Sequence, residues 1–418
     1  MPQPDHAQPA VPVFVQTAVE IMPEDSWEQV GEEEARLVYE MASRNELSGG
    51  TPVVRQFEQE FRDYIGTRLC LTTCNGSAAL YSAYFGVGVG PGDEVITPSY
   101  TWICTIGPAL LLGARPVFCE VDPRTLVMDP ADVERRITER TRAIVPVHLW
   151  GSVCDMDPIM ELGRKHGIPV IEDCSHAHGA EYKGRKVGSI GDVGAFSMQG
   201  SKALSAGEGG ALVTDNEETF NRACLIGQAN RWGLDLPGDR YQELQPLGLG
   251  MKLRSHPLGI GVALVQLRKL DALNASRGSF VAEVEAGIAD LDCLEPLDVY
   301  PGAKRGGYYA FPLVYHPDRN GGVPTNEFLQ RCAEAGLKCG DGWYPLLHQL
   351  PLFRDGFDVF TRNRGPLGGG YRGYRTGDLP ITEDVRSRLV FPPILTQPRP
   401  GAAEAYVRAL RRAAGKSA

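Results

Sequence analysis

Short apolar runs alternate with amphipathic helical stretches through the first half of the chain. Helical periodicity is present at 77–88, 130–140 and 155–166. Between these stretches lie runs with strand character, bounded by turn residues: RLCLTTC, DEVITPS, RPVFCEVD, RAIVPVHL, IPVIEDCS, VGAFSM and GALVTD. Strands that alternate with helices need crossover connections, so the pattern predicts an α/β fold with a mostly parallel sheet buried on both faces. Ligands of such sheets bind at the carboxyl ends of the strands.

The pattern is different near the start of the chain. Residues 1–25 are rich in proline and lack periodicity, so we interpret them as a loosely held arm. Helical patterns follow at 28–44 and 52–65, and Gly66 stands where a glycine would end the second helix.

A long helical stretch starts at His256 and leads out of the alternating region. The chain after it mixes strand and helix patterns without an internal repeat. We therefore expect a large domain over 26–275 and a smaller C-terminal α+β domain over 276–418.

Composition restricts the class of function. The chain has 418 residues, of which 43% are hydrophobic, so it can bury a core larger than one ordinary domain. Its formal net charge of -10 argues against a general nucleic-acid binder, because phosphate backbones are held by clustered Lys and Arg. Small anionic molecules can still bind at local basic positions.

The ten cysteines are scattered and include no CxxC pair, which favours reduced thiols over a disulfide framework or a zinc site. We therefore expect no metal. No segment reaches about 18 uninterrupted apolar residues, and the first residues lack a basic region followed by a long apolar run. These features predict a cytoplasmic protein that does not enter a membrane.

A first candidate site is the sequence Cys74-Asn75-Gly76-Ser77, between a predicted strand and a predicted helix. Such a junction directs free N–H groups and the positive end of the helix dipole at one point, and Gly76 lets an anion approach the backbone. The hydroxyl of Ser77 could add a further donor. An ordinary helix N-cap explains the same residues, since Asn and Ser favour that position.

A second candidate is Asp173, which ends the buried run IPVIED. A carboxylate at the end of a buried strand is costly unless it meets a cation, and a protonated pyridine nitrogen would be such a partner. Two alternatives remain open: a structural acid that caps the next turn, or a metal ligand together with His176 and His178.

A third candidate is Lys202, on the polar segment that follows the strand VGAFSM and precedes a glycine-rich turn. Ser197 and Ser201 lie close to it in the sequence. Most single lysines are solvated surface charges, but one beside a cationic cofactor loses its proton more easily and becomes a nucleophile. In order along the chain, the three candidates supply what pyridoxal phosphate (PLP) needs: an anion cradle, an acid for the ring nitrogen and an amine for the aldehyde.

The segments that contain these three candidates, and the stretches around them, resemble the DegT/DnrJ/EryC1/StrS family of sugar and cyclitol aminotransferases. The resemblance is close over roughly 45–230 and looser beyond. Its main segments are SGGTPVVRQFEQEF, TTCNGSAAL, GVGPGDEVITPSYTWICT, PVFCEVDPRTLVMDP, AIVPVHLWGSVCDMDPI, the stretch from VIEDCSHAHGAEY to GALVTDN, and YPLLHQLPLF. It implies a fold-type I PLP enzyme with a mostly parallel seven-stranded sheet, working as a homodimer whose active sites are built from both subunits.

The resemblance also assigns site residues. Lys202 would form the Schiff base and carry protons, Asp173 would face the pyridine nitrogen, and His176 would lie near the ring hydroxyl. Trp102 falls where the family places an aromatic side chain on the ring face, and without the resemblance it would be interpreted as core. The residues that match phosphate contacts of the family are Gly76, Ser77 and Ser197.

A further phosphate contact in the family is an Asn from the partner chain, in a segment similar to GxNYRL. The matching segment here is GMKLRSHP, so Lys252 replaces the Asn and exchanges a neutral amide for a point charge. The alternative is that Lys252 faces solvent and the contact is missing. His256 and Pro257 also depart from the family pattern, which leaves the substrate pocket less defined than the chemistry.

By the resemblance, the amino donor is L-glutamate or L-glutamine and the acceptor is a keto sugar or keto-cyclitol, either inosose-like or linked to a nucleotide. Such a reaction belongs to aminosugar or aminocyclitol natural-product biosynthesis, including that of antibiotics. Two other hypotheses are a PLP sugar dehydratase of the same family, in which His replaces the Lys, and a non-catalytic regulator that binds PLP or an aminosugar.

Overall fold

The computed structural model describes residues 30–229, 231, 236, 239–356 and 362–416. The predicted N-terminal arm lies outside the described residues. The α-helices are α1 Glu32–Ser43, α2 Pro52–Ile65, α3 Gly76–Gly86, α4 Gly107–Leu111, α5 Pro130–Arg136, α6 Met156–His166, α7 Glu217–Gly227, α8 Asp239–Leu244, α9 Pro257–Gly287, α10 Thr325–Glu334, α11 Pro351–Arg354, α12 Pro380–Ser387 and α13 Ala402–Ala413.

The strands alternate with these helices through the first half of the chain. They are β1 Leu69–Thr73, β2 Glu94–Pro98, β3 Arg115–Cys119, β4 Thr141–Ile144, β5 Ile171–Asp173, β6 Glu181–Tyr182, β7 Arg185–Lys186, β8 Val193–Ser197, β9 Gly210–Thr214, β10 Leu294–Pro296, β11 Ala303–Lys304, β12 Leu313–Tyr315 and β13 Leu389–Val390. The predicted α/β alternation is confirmed.

Seven of these strands form two sheets that lie side by side. One sheet has the order β3-β2-β4 and the other the order β1-β9-β8-β5. Parallel bridges from Ile144 to Val170 and from Val147 to Asp173 connect β4 to β5. The pairs β2–β3, β2–β4 and β5–β8 are parallel, whereas β9 runs antiparallel to both β1 and β8.

Apolar side chains cover the sheet on both faces, as expected for strands with helices on either side. Helices α1 and α2 pack on the first part of α9, and α3 packs on α7 and on the strands β8 and β9. As predicted, α2 ends at Gly66, which takes a left-handed backbone with φ of 87°.

A separate hydrophobic core lies in the C-terminal part of the chain. It joins the end of α9 to α10 and α13 and to the small sheet β10-β12-β13, with Phe280, Tyr315 and Phe328 among its buried rings. The helix α9 is continuous through residue 275. It therefore extends from the core that it forms with α1 and α2 into the C-terminal core. In the described part of the chain, no helix combines the length and the apolar character that a membrane span requires.

Candidate active site

The loop between β1 and α3 forms an open cradle of backbone N–H groups. Asn75 caps α3 by accepting a hydrogen bond from the N–H of Ala78 at 2.8 Å. The N–H groups of Gly76 and Ser77 have no acceptor among the described residues. A Cβ atom on Gly76 would lie only 2.6 Å from the Cβ of Ser197, so glycine is required where the loop approaches β8. The cradle is therefore available to an anion, with the Ser197 side chain facing it.

Asp173 lies at the carboxyl end of β5 and is 4% exposed. Its Oδ2 accepts a hydrogen bond from the hydroxyl of Thr105 at 2.8 Å, and its Oδ1 accepts one from the N–H of Ser175 at 3.1 Å. Asp173 takes part in no ion pair within the described ranges. Two neutral donors thus hold the carboxylate in a fixed orientation, and its charge remains available to a cationic ligand.

Lys202 follows β8 and is also buried, with 8% of its surface exposed. Burial lowers the pKa of its ammonium group to about 8, although Asp173 and Cys104 act in the opposite direction. The Nζ atom lies 3.9 Å from the centre of the Tyr309 ring. Within the part of the chain that the structure describes, this Nζ forms no ion pair or hydrogen bond. The amine therefore loses its proton more readily than an ordinary lysine does, and its Nζ is held by no described partner.

His176 lies in a group of aromatic side chains formed by Tyr309, Tyr344 and Trp150, and this aromatic group meets Lys202 through Tyr309. Its Nδ1 accepts a hydrogen bond from the N–H of Trp150 at 3.3 Å, and its ring stacks on that of Tyr309 at 4.1 Å. Burial holds the pKa of His176 well below its usual range, with smaller contributions from Lys202 and His178. Because Nδ1 accepts, the neutral ring carries its proton on Nε2 and donates it to the hydroxyl of Tyr344, 3.3 Å away.

Trp102 stands at the edge of this group. It is 38% exposed, and its ring lies 5.2 Å from that of Tyr344 at an angle of 42°. Through Tyr344, Trp102 is connected to His176, and through Tyr309, His176 is connected to Lys202. The structure thus brings four of the predicted residues into one neighbourhood: Lys202, Asp173, His176 and Trp102.

Lys252 lies elsewhere on the chain. It pairs with Gln228 in a short antiparallel bridge, and the next residue, Leu253, accepts a hydrogen bond from the N–H of Cys74 at 2.7 Å. Lys252 is exposed and lines an open cleft together with Arg254. Among the described residues, no contact joins Lys252 to Lys202. Within one chain, the structure does not bring Lys252 close to Lys202, Asp173 or His176.

Sequence reasoning missed several residues of the site. Tyr309, Tyr344 and Trp150 surround His176, and Thr105 orients Asp173. The two tyrosines are more than 100 residues beyond Lys202, and no local pattern connects them to it. The segments quoted for the family resemblance contain three of these residues: Thr105 in GVGPGDEVITPSYTWICT, Trp150 in AIVPVHLWGSVCDMDPI and Tyr344 in YPLLHQLPLF.

A metal site needs several acidic, histidine or cysteine side chains whose ligand atoms lie close together. Among the described residues, the only compact group of potential ligands is His148, Glu172 and Cys174, and it does not include Asp173 or His178. Glu172 accepts a hydrogen bond from His148 Nε2 at 3.0 Å, and its other oxygen accepts from two backbone N–H groups. These acceptors are already used by the protein, so the group serves as internal structure.

Solved structures define the class to which this arrangement belongs. An aminotransferase from Psychrobacter cryohalolentis superposes with a TM-score of 0.79 at 26% identity, over 92% of this chain and 97% of that one. The aminotransferase TlmJ from Streptoalloteichus hindustanus superposes with a TM-score of 0.75 at 25% identity, over 92% and 96%. The chain has the architecture of α/β aminotransferases.

Sequence comparison gives the family. The profile of the DegT/DnrJ/EryC1/StrS aminotransferase family matches residues 28–365, and the chain belongs to this family. It is 40% identical over 305 residues to the L-glutamine:scyllo-inosose aminotransferase of Streptomyces griseus, covering 72% of this chain and 71% of that one. It is 38% identical over 343 residues to the L-glutamine:2-deoxy-scyllo-inosose aminotransferase of Streptoalloteichus tenebrarius, covering 80% of each. The protein is an aminotransferase, as predicted.

Proposed function

We propose that this enzyme uses PLP to transfer the amino group of L-glutamine to the ketone of a keto-cyclitol related to scyllo-inosose. The observation that carries the proposal is the similarity, at 38–40% identity, to enzymes named for that donor and that class of acceptor. The buried Lys202, whose pKa is lowered to about 8, supplies the amine that such chemistry requires. L-Glutamate is the alternative donor.

The residues present fit PLP. Enzymes of this family are PLP-dependent. In our proposal the N–H groups of Gly76 and Ser77 and the Ser197 side chain hold the phosphate, and Asp173 faces the ring nitrogen. The fit rests on two features: a cradle that a Cβ at position 76 would fill, and a buried carboxylate that forms no ion pair with the described residues. When bound, PLP supplies an aldehyde that condenses with amines and a protonated ring that withdraws electrons.

Lys202 has two tasks in this mechanism. With PLP bound, Lys202 would hold the cofactor until the amino group of the donor displaces it, and the freed Nζ would take the proton from the donor α-carbon. The amino group would stay with the cofactor, and one water would release the donor as a keto acid. In the second half-reaction the acceptor ketone would lose its oxygen as water, and Nζ would give a proton to the carbon that receives the amino group. Because each half-reaction uses the same site, the kinetics should be ping-pong.

The other site residues keep charges and rings in place. Asp173, oriented by Thr105, would stabilise a proton on the ring nitrogen. His176 is neutral, and we propose that it lies near the ring hydroxyl, with Trp102 against the ring face. Burial excludes water from the Lys202 amine, which lies against the Tyr309 ring, and so lowers its pKa below that of an exposed lysine.

Two alternative functions fit these residues less well. A sugar dehydratase of this family would have His at the position of Lys202. A non-catalytic regulator would have no use for a buried amine whose pKa is lowered to about 8. Measured turnover separates these functions: an aminotransferase forms an amine from the acceptor ketone, and neither a dehydratase nor a regulator does.

The direct test is incubation of the PLP-loaded enzyme with L-glutamine and either scyllo-inosose or 2-deoxy-scyllo-inosose, with mass spectrometry of the product. We expect an aminocyclitol and the keto acid in equal amounts. A control without an acceptor should stop after one equivalent of keto acid per active site. Amination of a nucleotide-linked keto sugar alone would contradict the proposed acceptor.

The large-scale organisation is also part of the proposal. We propose that the two adjoining sheets act as one mostly parallel seven-stranded sheet in a PLP-binding domain over 26–275, with a smaller domain over 276–418. The separate C-terminal core supports the division, and the boundary at 275 then falls within α9. We further propose a homodimer in which Lys252 contacts the phosphate bound to the partner subunit. The cytoplasmic location remains a prediction.

A further inference from the structure

Trp343 is a large aromatic side chain that is 41% exposed and lies beside Trp150 and Tyr309. Its indole stacks on the buried ring of Phe391, with centroids 5.7 Å apart and planes at 20°. Two other rings lie nearly perpendicular to it, with centroids at 5.6 Å for Trp150 and 6.0 Å for Tyr309. One indole face therefore packs on Phe391, while a large part of the side chain remains exposed.

The backbone of Trp343 is held in an unfavourable conformation. Its φ of 47° lies in the left-handed region, which a bulky residue rarely occupies. The flanking loop is fixed by the hydroxyl of Tyr100, which donates to the carbonyl of Gly342 at 2.8 Å, and by backbone hydrogen bonds between Gly340 and Phe391. Backbone strain that the surrounding structure maintains is concentrated at functional sites.

Gly340 makes room for the indole of Trp343. A Cβ atom on Gly340 would lie 2.6 Å from Trp343 Nε1. Any other residue at that position would displace the indole from its place beside Phe391. The loop thus presents one rigid aromatic surface, adjacent to Tyr309 and hence to the Lys202 amine.

We propose that the accessible face of Trp343 is the platform on which the acceptor ring stacks, an inference that rests on the proposed keto-cyclitol acceptor. A six-membered cyclitol whose hydroxyls are all equatorial carries its C–H bonds on the two faces of the ring. Those faces are apolar and slightly positive, and they suit the negative face of an indole. An axial hydroxyl on the stacked face would lose its hydration there without gaining a partner. The platform therefore selects carbocycles with equatorial hydroxyls.

The test separates the two half-reactions of the PLP-loaded enzyme. Trp343→Leu removes the aromatic face, Trp343→Phe keeps a smaller one, and Tyr39→Leu is the control, because Tyr39 is 73% exposed on α1. The reaction with L-glutamine alone should proceed at the wild-type rate in all three variants. The KM for scyllo-inosose should rise roughly fivefold to tenfold in Trp343→Leu and less in Trp343→Phe.

A binding measurement without turnover accompanies the kinetics. Calorimetric titration with scyllo-inositol, which has no ketone, should show weaker binding to Trp343→Leu than to the wild type or Tyr39→Leu. Equal KM and equal binding in Trp343→Leu would overturn the platform, as would an equal loss in the glutamine half-reaction. Failure of the proposed function gives a different result, because the wild type would then complete the glutamine half-reaction but aminate no keto-cyclitol. That result would overturn both the proposed acceptor and the Trp343 platform.

Discussion

The Nζ atom of Lys202 lies 3.9 Å from the centre of the Tyr309 ring, and that ring in turn stacks on His176. The contact places a lysine amine against an aromatic face instead of a carboxylate. A ring face attracts the ammonium form only weakly compared with a buried carboxylate in direct contact. Burial therefore prevails, and the pKa of Lys202 falls to about 8.

The first prediction concerns the titration of Lys202 in the cofactor-free protein. With a pKa of about 8, about a quarter of this amine is neutral at pH 7.5, against about one in a thousand for an ordinary lysine. Because only the neutral amine reacts, trace acetylation of Lys202 should increase as the pH rises through 8. Mass spectrometry of the labelled peptides measures it.

Lys183 is the internal reference for this titration. It is exposed, and its pKa is raised by the hydrogen bond to Asp157, so its labelling should increase only at a higher pH. If Lys202 and Lys183 titrated together, the burial argument would be wrong.

The second prediction concerns the anion cradle. Gly76→Ala would force a Cβ atom against Ser197, and the loop must move to relieve the contact. Affinity for PLP should fall by roughly tenfold or more, because a displaced loop no longer directs its N–H groups at the phosphate. Gly90→Ala is the matched control, since a Cβ there meets nothing within 4 Å. Absorbance titration with PLP measures both, and equal affinities would remove the cradle from the site.

The third prediction concerns the carboxylate of Asp173. Asp173→Asn keeps the shape of the side chain but removes the charge that would stabilise a protonated ring nitrogen. Turnover should fall roughly 100-fold or more, while the circular dichroism spectrum stays unchanged. Asp157→Asn, at an exposed acid, should retain wild-type turnover. A near wild-type rate for Asp173→Asn would show that this residue has been misassigned.

The sequence allowed much of the fold to be predicted because the signals were local. The helices expected at 52–65 and 155–166 are present as Pro52–Ile65 and Met156–His166. Proline begins the first of these helices, and both end at a glycine with a left-handed backbone, Gly66 and Gly167. A helix predicted to continue to 140 ends instead at Arg136, because Ile137 takes an extended backbone.

The pairing of the strands and the aromatic part of the site could not be predicted in the same way. No local pattern indicated that β9 would run antiparallel to both of its neighbours. Tyr309 and Tyr344 meet His176 only because distant loops fold onto the ends of β5 and β8. Contacts of that kind depend on the whole topology, whereas Asp173 and Lys202 stand at strand ends that the sequence itself marks.

The fourth prediction concerns the proposed sharing of sites between subunits. Lys202→Ala and Lys252→Ala should each be poorly active alone. In a mixed dimer, one site would combine Lys202 of one chain with the intact Lys252 of its partner. Refolding the two variants together in equal amounts should then restore about a quarter of wild-type activity, since half of the dimers are mixed and each has one complete site.

Complementation distinguishes a shared site from one built within a single chain. If Lys252 acted only on its own chain, the mixture would be no more active than the mean of the two variants. Light scattering of the refolded sample should show a dimer. An active monomer loaded with PLP would contradict the shared site directly.

The central claim is that Lys202 carries the cofactor, and borohydride reduction followed by peptide mapping tests it most directly. Reduction of the PLP-loaded wild type should fix the cofactor covalently to the peptide that contains Lys202. Lys202→Ala should give no labelled peptide, and neither should Lys202→Arg, because a guanidinium stays protonated. Attachment of the reduced cofactor to any other lysine, or to none, would contradict the account.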